Sequence, residues 1–382
     1  MTDALRILQV LAPGAVGGLE RVVQLLVGGF HQRGRDVQVL AVLDRSGVGE
    51  EFLEPLERIG VSIHRLRIRP RNYAAELHGI RRVIRTLSPN VVHTHGSRVD
   101  VLDATMARLM GFPTITTVHG ASRLGGRAAV YEWLHHQSYR RFEAVVAVSE
   151  PLRLELIRKL KVPPERVYLI PNAWPGDVEF LPRVVARQRL AITDDALPVL
   201  GWIGRLIPVK AADVFLFALS RMADVPWHAV IVGDGPERAA LTELAASLGI
   251  AGRVHFAGTI VHAAQFNRAF DLYVLSSRSE GTPIALLEAM AAGVPVIATD
   301  VGGVQALLGD RAGVLVPPND AGALAAAMRK ALSDSERMAK CARSAEDRIR
   351  NEYAPDRFLD RYDEIYQLLG RGSPGTREPR SH

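Results

Sequence analysis

The rhythm of apolar residues is the strongest restriction on what this chain can fold into. "RILQVLAP", "DVQVLAVL", "VSIHRL", "VVHTH", "TITTVHG" and "AVVAVS" are short apolar runs, and helix-length amphipathic segments such as "GGLERVVQLLVGGFHQRG" lie between several of them. Short buried strands separated by helices argue for a parallel sheet covered by helices on both faces. After Pro198 the rhythm restarts with "VLGWIGRL", "WHAVIVGDG", "RVHFAGTI", "DLYVLSS", "PVIATD" and "AGVLVPP". At 382 residues the chain is too long for one ordinary core. The expected class is therefore α/β, with two Rossmann-like doubly wound parallel-sheet domains.

The predicted boundaries follow changes in composition. Residues 1–175 form the first domain, and the Pro- and charge-rich stretch 176–197 is the linker. Residues 198–345 form the second domain, 346–370 a C-terminal helix and 371–382 a disordered tail. Hydrophobic content of 48% and charged content of 23% suit a soluble globular protein. The N-terminus lacks a basic start and a long apolar core, so no signal peptide is expected. No stretch approaches the ~18 apolar residues of a membrane span. The single cysteine, Cys341, excludes an internal disulfide and fits a reducing, cytoplasmic setting.

The net charge of +6 is unevenly placed. "RIRPRNYAAELHGIRRVIRTL" sets Arg67, Arg69, Arg71, Arg81, Arg82 and Arg85 against one acid, Glu76. Such a run reads either as a solvated helix face or as a surface for anionic lipid head groups or a polyanionic acceptor. Nucleic acid is not indicated: Tyr73 is the run's one aromatic residue, and no nucleic-acid motif is visible.

In open parallel sheets, ligands sit outside the carboxyl ends of the strands. At one such end, "VLAPGAVGGLERVV" carries Gly14, Gly17 and Gly18 before a helix, where backbone amides can approach an anion. The motif is neither a dinucleotide fingerprint nor a P-loop, and a purely structural turn fits it as well. "GWIGRLIPVKAAD" puts Arg205 and Lys210 after a buried strand, a pair suited to a diphosphate. "SEGTPIALLEAM" is expected to start a helix, with Thr282 as N-cap and Pro283 in the first turn. Its free amides favour a phosphate. Glu280, just before the helix, can accept sugar hydroxyls or simply serve the N-terminal electrostatics. Glu288, inside it, would be costly if buried unpaired and suits a ribose diol; the plain alternative is an exposed face.

With seven residues between Glu280 and Glu288, "EGTPIALLEAMAAGVPVIATDVGG" resembles the signature of the retaining glycosyltransferases of family 4, which have the GT-B fold. "GGLERVV", "TVHG", "GRLIPVK", "VGDGPERAAL" and "EYAPDRFLDRYDEIYQLL" extend the resemblance over nearly the whole chain. It implies two domains facing across a cleft, the first binding the acceptor and the second a nucleotide-diphosphate sugar, with a last helix crossing back to the first. Arg205 and Lys210 then neutralise the diphosphate, Glu280 lies near the donor sugar and Glu288 binds the ribose. Gly281, Thr282, Pro283 and Ile284 flank the donor, His119 faces its sugar, and Gly17 and Gly18 close over the phosphates and acceptor. The departing phosphate itself takes the acceptor proton. No D-x-D motif is present, so no metal or other cofactor is expected. The donor is a UDP- or GDP-sugar and the acceptor a glycan or lipid-linked molecule, handled on the cytoplasmic face of the membrane.

Two places depart from the family pattern. Ala211 stands after Lys210, where glycine is usual, and implies a turn of different shape. In "IPNAWPGD", Asn172 is kept but Ala173 and Trp174 replace the common residues, which puts the transfer of Asn172's donor-site role in doubt. His93 and His95, at i and i+2 of one strand, fit cleft or structural roles better than a metal, for want of a third ligand. A nucleotide-sugar 2-epimerase or a silent sugar or lipid binder is the alternative function. The second is opposed by the presence of Arg205, Lys210, Glu280 and Glu288.

Overall fold

The apolar runs form strands, of which the central ones are buried on both faces, whereas the edge run Ser62–Arg67 is partly exposed. The computed structural model describes residues 5–371 apart from 15–16, 45–46, 121–127, 177, 193 and 195. The expected tail at 371–382 therefore lies, beyond Arg371, outside the described residues.

Two compact units emerge: Met1–Pro175 with Pro355–His382, and Gly176–Ala354. The first holds a seven-stranded sheet of β1 (Arg6–Leu11), β2 (Asp36–Leu43), β3 (Ser62–Arg67), β4 (Val91–His95), β5 (Thr114–Val118), β6 (Ala144–Ala147) and β7 (Val167–Leu169). Its order is β3-β2-β1-β4-β5-β6-β7, and its strand pairs are parallel. The second holds β8 (Val199–Ile203), β9 (His228–Val232), β10 (Val254–Gly258), β11 (Leu272–Leu275), β12 (Val296–Thr299) and β13 (Val314–Val316). These run β10-β9-β8-β11-β12-β13, again parallel. Both orders reverse direction beside the first strand of the unit, the arrangement of doubly wound nucleotide-binding sheets.

The segment 176–197 is not an open connector. Helix Arg183–Arg189 forms within it and docks on the second unit. Asp271 gathers Arg183 (2.6 Å), the buried Arg187 (2.7 Å) and the amide of Val199 (2.7 Å). Of the charges that mimic a linker in sequence, Arg187 thus turns inward and Arg183 pairs at the surface, and a buried Arg–carboxylate pair is costly to break. Upstream, "RVYLI" supplies the edge strand β7, a run too short to stand out beside its Pro-rich flank.

The C-terminal crossover begins later than 346. Helix Ser335–Glu352 stays with the second unit, and helix Pro355–Gly370 belongs to the first. Tyr362 and Tyr366 of that last helix are fully buried, and Leu359 packs so closely on Gly29 that a Cβ there would come within 2.4 Å of it. No helix of the described residues is long and apolar enough to cross a membrane.

Candidate functional site

In the second unit, Arg205 and Lys210 leave the C-terminal end of β8, and Glu280 follows β11. Adjacent strands bring them together. Lys210 Nζ donates to Glu280 Oε1 at 2.6 Å, and Ser277 Oγ donates to the same oxygen at 2.6 Å. Arg205 is exposed and has no ion-pair partner among the described residues.

The backbone around this pair is braced. Gly302 has φ +57°, and a Cβ on it would lie 1.7 Å from the Glu280 carbonyl oxygen, so only glycine lets the two loops approach. The Gly303 amide donates to Gly281 O at 2.8 Å. Gly233 plays the same part for the cation loop: a Cβ there would lie 1.9 Å from Gly204 O.

Ala211 answers the question raised by its missing glycine. It adopts the left-handed conformation at φ +53°, the geometry a glycine would take. That backbone costs an alanine about 1–2 kcal/mol. Burial of its methyl group returns about 0.8 kcal/mol, and Ser276 Oγ donates to Ala211 O at 2.8 Å to hold the turn. Trp202 Nε1 in turn donates to Ser276 Oγ at 3.0 Å.

Helix Ile284–Ala291 starts one residue later than expected, with Pro283 rather than Thr282 as N-cap. Proline's extended ψ of 116° keeps it outside the helix, and its carbonyl accepts from Leu286 and Leu287 at 3.2 Å. Gly281, Thr282, Pro283 and Ile284 are all buried. Glu288 is 2% exposed, which removes the exposed-face reading.

In the first unit, His119 follows β5, and among the described residues neither of its ring nitrogens has a hydrogen-bond partner. Loss of hydration pushes its pKa down to about 4, so the ring is neutral at pH 7. Asn172 is buried near the end of this unit's N-terminal part. The glycine turn takes the structural form that the sequence left open beside an anion contact. The Gly14 and Gly17 amides both donate to Glu20, at 3.2 and 3.0 Å, so a side chain of the following helix occupies these anion-seeking donors. Gly17 is the N-cap and Gly18 the first residue of helix Gly18–Gln32. This is a capping interaction in which Glu at the third position reaches back to the cap.

His93 and His95 share one face, their ring centroids 4.0 Å apart; both ring nitrogens of His93 and Nε2 of His95 are hydrogen-bonded, while His95 Nδ1 has no partner among the described residues. His93 Nδ1 meets the Tyr366 hydroxyl at 2.6 Å and its Nε2 meets Thr117 Oγ1 at 2.9 Å. His95 Nε2 meets Gln9 Oε1 at 2.8 Å, and Gln9 Nε2 donates to Tyr366 at 2.9 Å. This network was invisible in sequence because Tyr366 lies 273 positions from His93. Burial holds both histidines well below the usual imidazole range.

The basic run also resolves. Glu76 is fully buried against Arg98, accepting from it at 2.6 Å. The acid that balances the run in sequence therefore does not balance it on the surface. Arg67 pairs with Glu50, whereas Arg69, Arg71, Arg81, Arg82 and Arg85 are exposed without an ion-pair partner among the described residues.

Comparison with known proteins agrees with this architecture. The profile of Glycosyltransferase Family 4 matches residues 16–174, and that of Glycosyl transferases group 1 matches residues 197–334, together more than half of the chain. The 2-deoxystreptamine N-acetyl-D-glucosaminyltransferase of Streptomyces fradiae is 29% identical over 94% of this chain and 93% of its own. The D-inositol 3-phosphate glycosyltransferase of Geodermatophilus obscurus is 35% identical over 61% of this chain and 56% of its own. The crystal structure of Anabaena HepE in complex with UDP-glucose shares the fold, with a TM-score of 0.83 and 21% identity over 95% of this chain and all of that one. The two parallel-sheet units share the GT-B fold, and the matching family models make the chain a glycosyltransferase. Within that class, the chain belongs to glycosyltransferase family 4.

Proposed function

We propose that this enzyme transfers a sugar, with retention of anomeric configuration, from a nucleotide-diphosphate sugar to a glycan or lipid-linked acceptor in polysaccharide, lipopolysaccharide or glycolipid synthesis. UDP- and GDP-sugars are the favoured donors. The observation that carries the reading is the meeting, at 2.6 Å, of Lys210, on the loop that also bears Arg205, with Glu280 on the loop after β11. Cations for a diphosphate and a carboxylate for a sugar are thereby within one donor's reach.

In this reading, cleavage of the sugar–phosphate bond builds negative charge on the departing diphosphate. Arg205, Lys210 and the start of helix Ile284–Ala291 stabilise that charge, and preorganised donors of this kind supply much of a transferase's rate. Gly281, Thr282, Pro283 and Ile284 flank the phosphates, and Glu288 takes the ribose. Glu280 accepts from sugar hydroxyls, and the neutral His119 and Asn172 are assigned to donor binding from the first unit. Gly17 and Gly18 close the acceptor side. The departing phosphate accepts the acceptor's proton, so the chain supplies no covalent nucleophile and needs no metal or other cofactor. The names of the S. fradiae and G. obscurus relatives, and HepE's complex with UDP-glucose, support a sugar-transfer reading. The proposal includes docking of the first unit on the anionic cytoplasmic face of a membrane through Arg67, Arg69, Arg71, Arg81, Arg82 and Arg85.

A thermal-shift screen with UDP-, GDP-, ADP- and dTDP-sugars tests the donor assignment. The true donor at a hundred times its Kd stabilises the enzyme by about 2.7 kcal/mol. Flat melting curves with all four, together with no sugar release, would refute it.

A further inference from the structure

We propose that Glu280 holds Lys210 in reserve until a second phosphate displaces it, so the carboxylate is released to the sugar only on a diphosphate. The inference rests on the donor-site reading above. In the structure the residue assigned to the diphosphate and the one assigned to the sugar are bonded to each other. Glu280 Oε1 accepts from both Lys210 Nζ and Ser277 Oγ at 2.6 Å. The Glu280 side chain is 7% exposed and that of Lys210 25%, so solvent and salt screen the pair less than a surface pair.

Neither backbone can relax to separate them. Gly302 and Gly303 press on residues 280–281 from behind. Arg278 ties down the other side. Its amide donates to Val209 O at 2.8 Å, and its guanidinium bonds Pro208 O, Asp213 at 2.6 Å and Asn319 at 2.7 Å. The movable part is the flexible four-carbon stem of Lys210.

The two cations are therefore unequal. Arg205 is free to take the first phosphate group that arrives. Lys210 must be won from Glu280, which requires a competing anion within reach of both loops. A nucleoside monophosphate engaged by Arg205 carries no second phosphate and leaves the pair intact. A diphosphate draws Lys210 over, Ser277 keeps Oε1 in place, and the carboxylate turns its hydrogen-bonding capacity to sugar hydroxyls. No bond is made or broken; one ion pair is exchanged for another.

Calorimetry on the full chain with UDP, GDP, ADP and dTDP, each beside its monophosphate, tests this. Glu280→Gln keeps the shape and removes the competing charge. It is expected to bind the preferred diphosphate about five-fold more tightly than wild type, a typical worth for one ion pair, and the monophosphate equally. Glu280→Asp, which keeps the charge but shortens its reach, gives the same direction and serves if the first variant folds poorly. Lys210→Ala lowers the diphosphate to the affinity of its monophosphate. If Lys210→Ala weakens the diphosphate while both Glu280 variants leave it unchanged or weaker, the exchange is wrong and the donor site stands. If Lys210→Ala changes nothing, both fall.

Discussion

His119 lies at the end of β5 with both ring nitrogens shielded, and its pKa of about 4 makes it a neutral hydrogen-bonding group rather than a cation. His93 and His95, buried beside it, are lowered by burial and by the mutual repulsion that charging would create. The sign of the linkage is fixed by that direction. Between the unfolded value near 6.5 and the lowered folded values, the unfolded chain binds protons that the folded chain refuses. Stability contributed by keeping these rings neutral is complete above pH 6.5 and is lost as pH falls below it, for His119 toward about 4. Each such histidine contributes a slope of up to about 1.4 kcal/mol per pH unit. Urea titrations at several pH values should show the slope, and His119→Gln should reduce it by about one proton's worth. An unchanged slope would mean that this ring titrates normally. Sequence could nominate His119 from "TVHG", but not its protonation, which depends on neighbours supplied by other strands.

At the scale of elements, helix Tyr73–Leu87 shows how packing alters charge. Its apolar stripe, with Ile80 and Ile84, faces the core, and Glu76 turns inward to Arg98. What remains outside is a basic face. Flotation with phosphatidylserine-containing liposomes should therefore recover the protein at low salt, with a steep loss as ionic strength rises. Arg81, Arg82 and Arg85 changed together to Ala should cut binding by roughly a hundred-fold, at about 1 kcal/mol per arginine. Binding indifferent to salt and to these changes would favour the solvated-face reading. The helix and its arginines were legible from periodicity. The inward turn of Glu76 was not, because Arg98 comes from a different element. "GAVGGLE" is a different case: the cap by Glu20 is local, so the capping pattern itself was an available signal against open amides.

At the scale of the whole molecule, the two units differ in how the chain builds them. The second is one continuous stretch, Gly176–Ala354, whereas the first needs the return of Pro355–Gly370. Phe358, Leu359, Tyr362, Ile365 and Tyr366 of that helix are buried in it. Without the helix, His93 and Gln9 lose the Tyr366 hydroxyl, and each unsatisfied buried group costs about 1–3 kcal/mol. A 176–354 fragment should thus melt cooperatively by circular dichroism, while 1–175 should do so only when 355–370 is restored. Cooperative melting of 1–175 alone, at the temperature of the whole protein, would contradict this.

The sequence by itself determined the two doubly wound sheets, because period and length of apolar runs are local properties, and it nominated Arg205, Lys210, Glu280 and Glu288, because their spacing within two short segments is local too. Tertiary structure decided the rest. It folded the charged 176–197 segment onto Asp271, joined Tyr366 to His93 and Gln9, and set Lys210 against Glu280. Each of these depends on groups far apart in the chain meeting where water is scarce, and a charge or a hydroxyl acquires its partner only when the fold brings that partner within hydrogen-bonding distance.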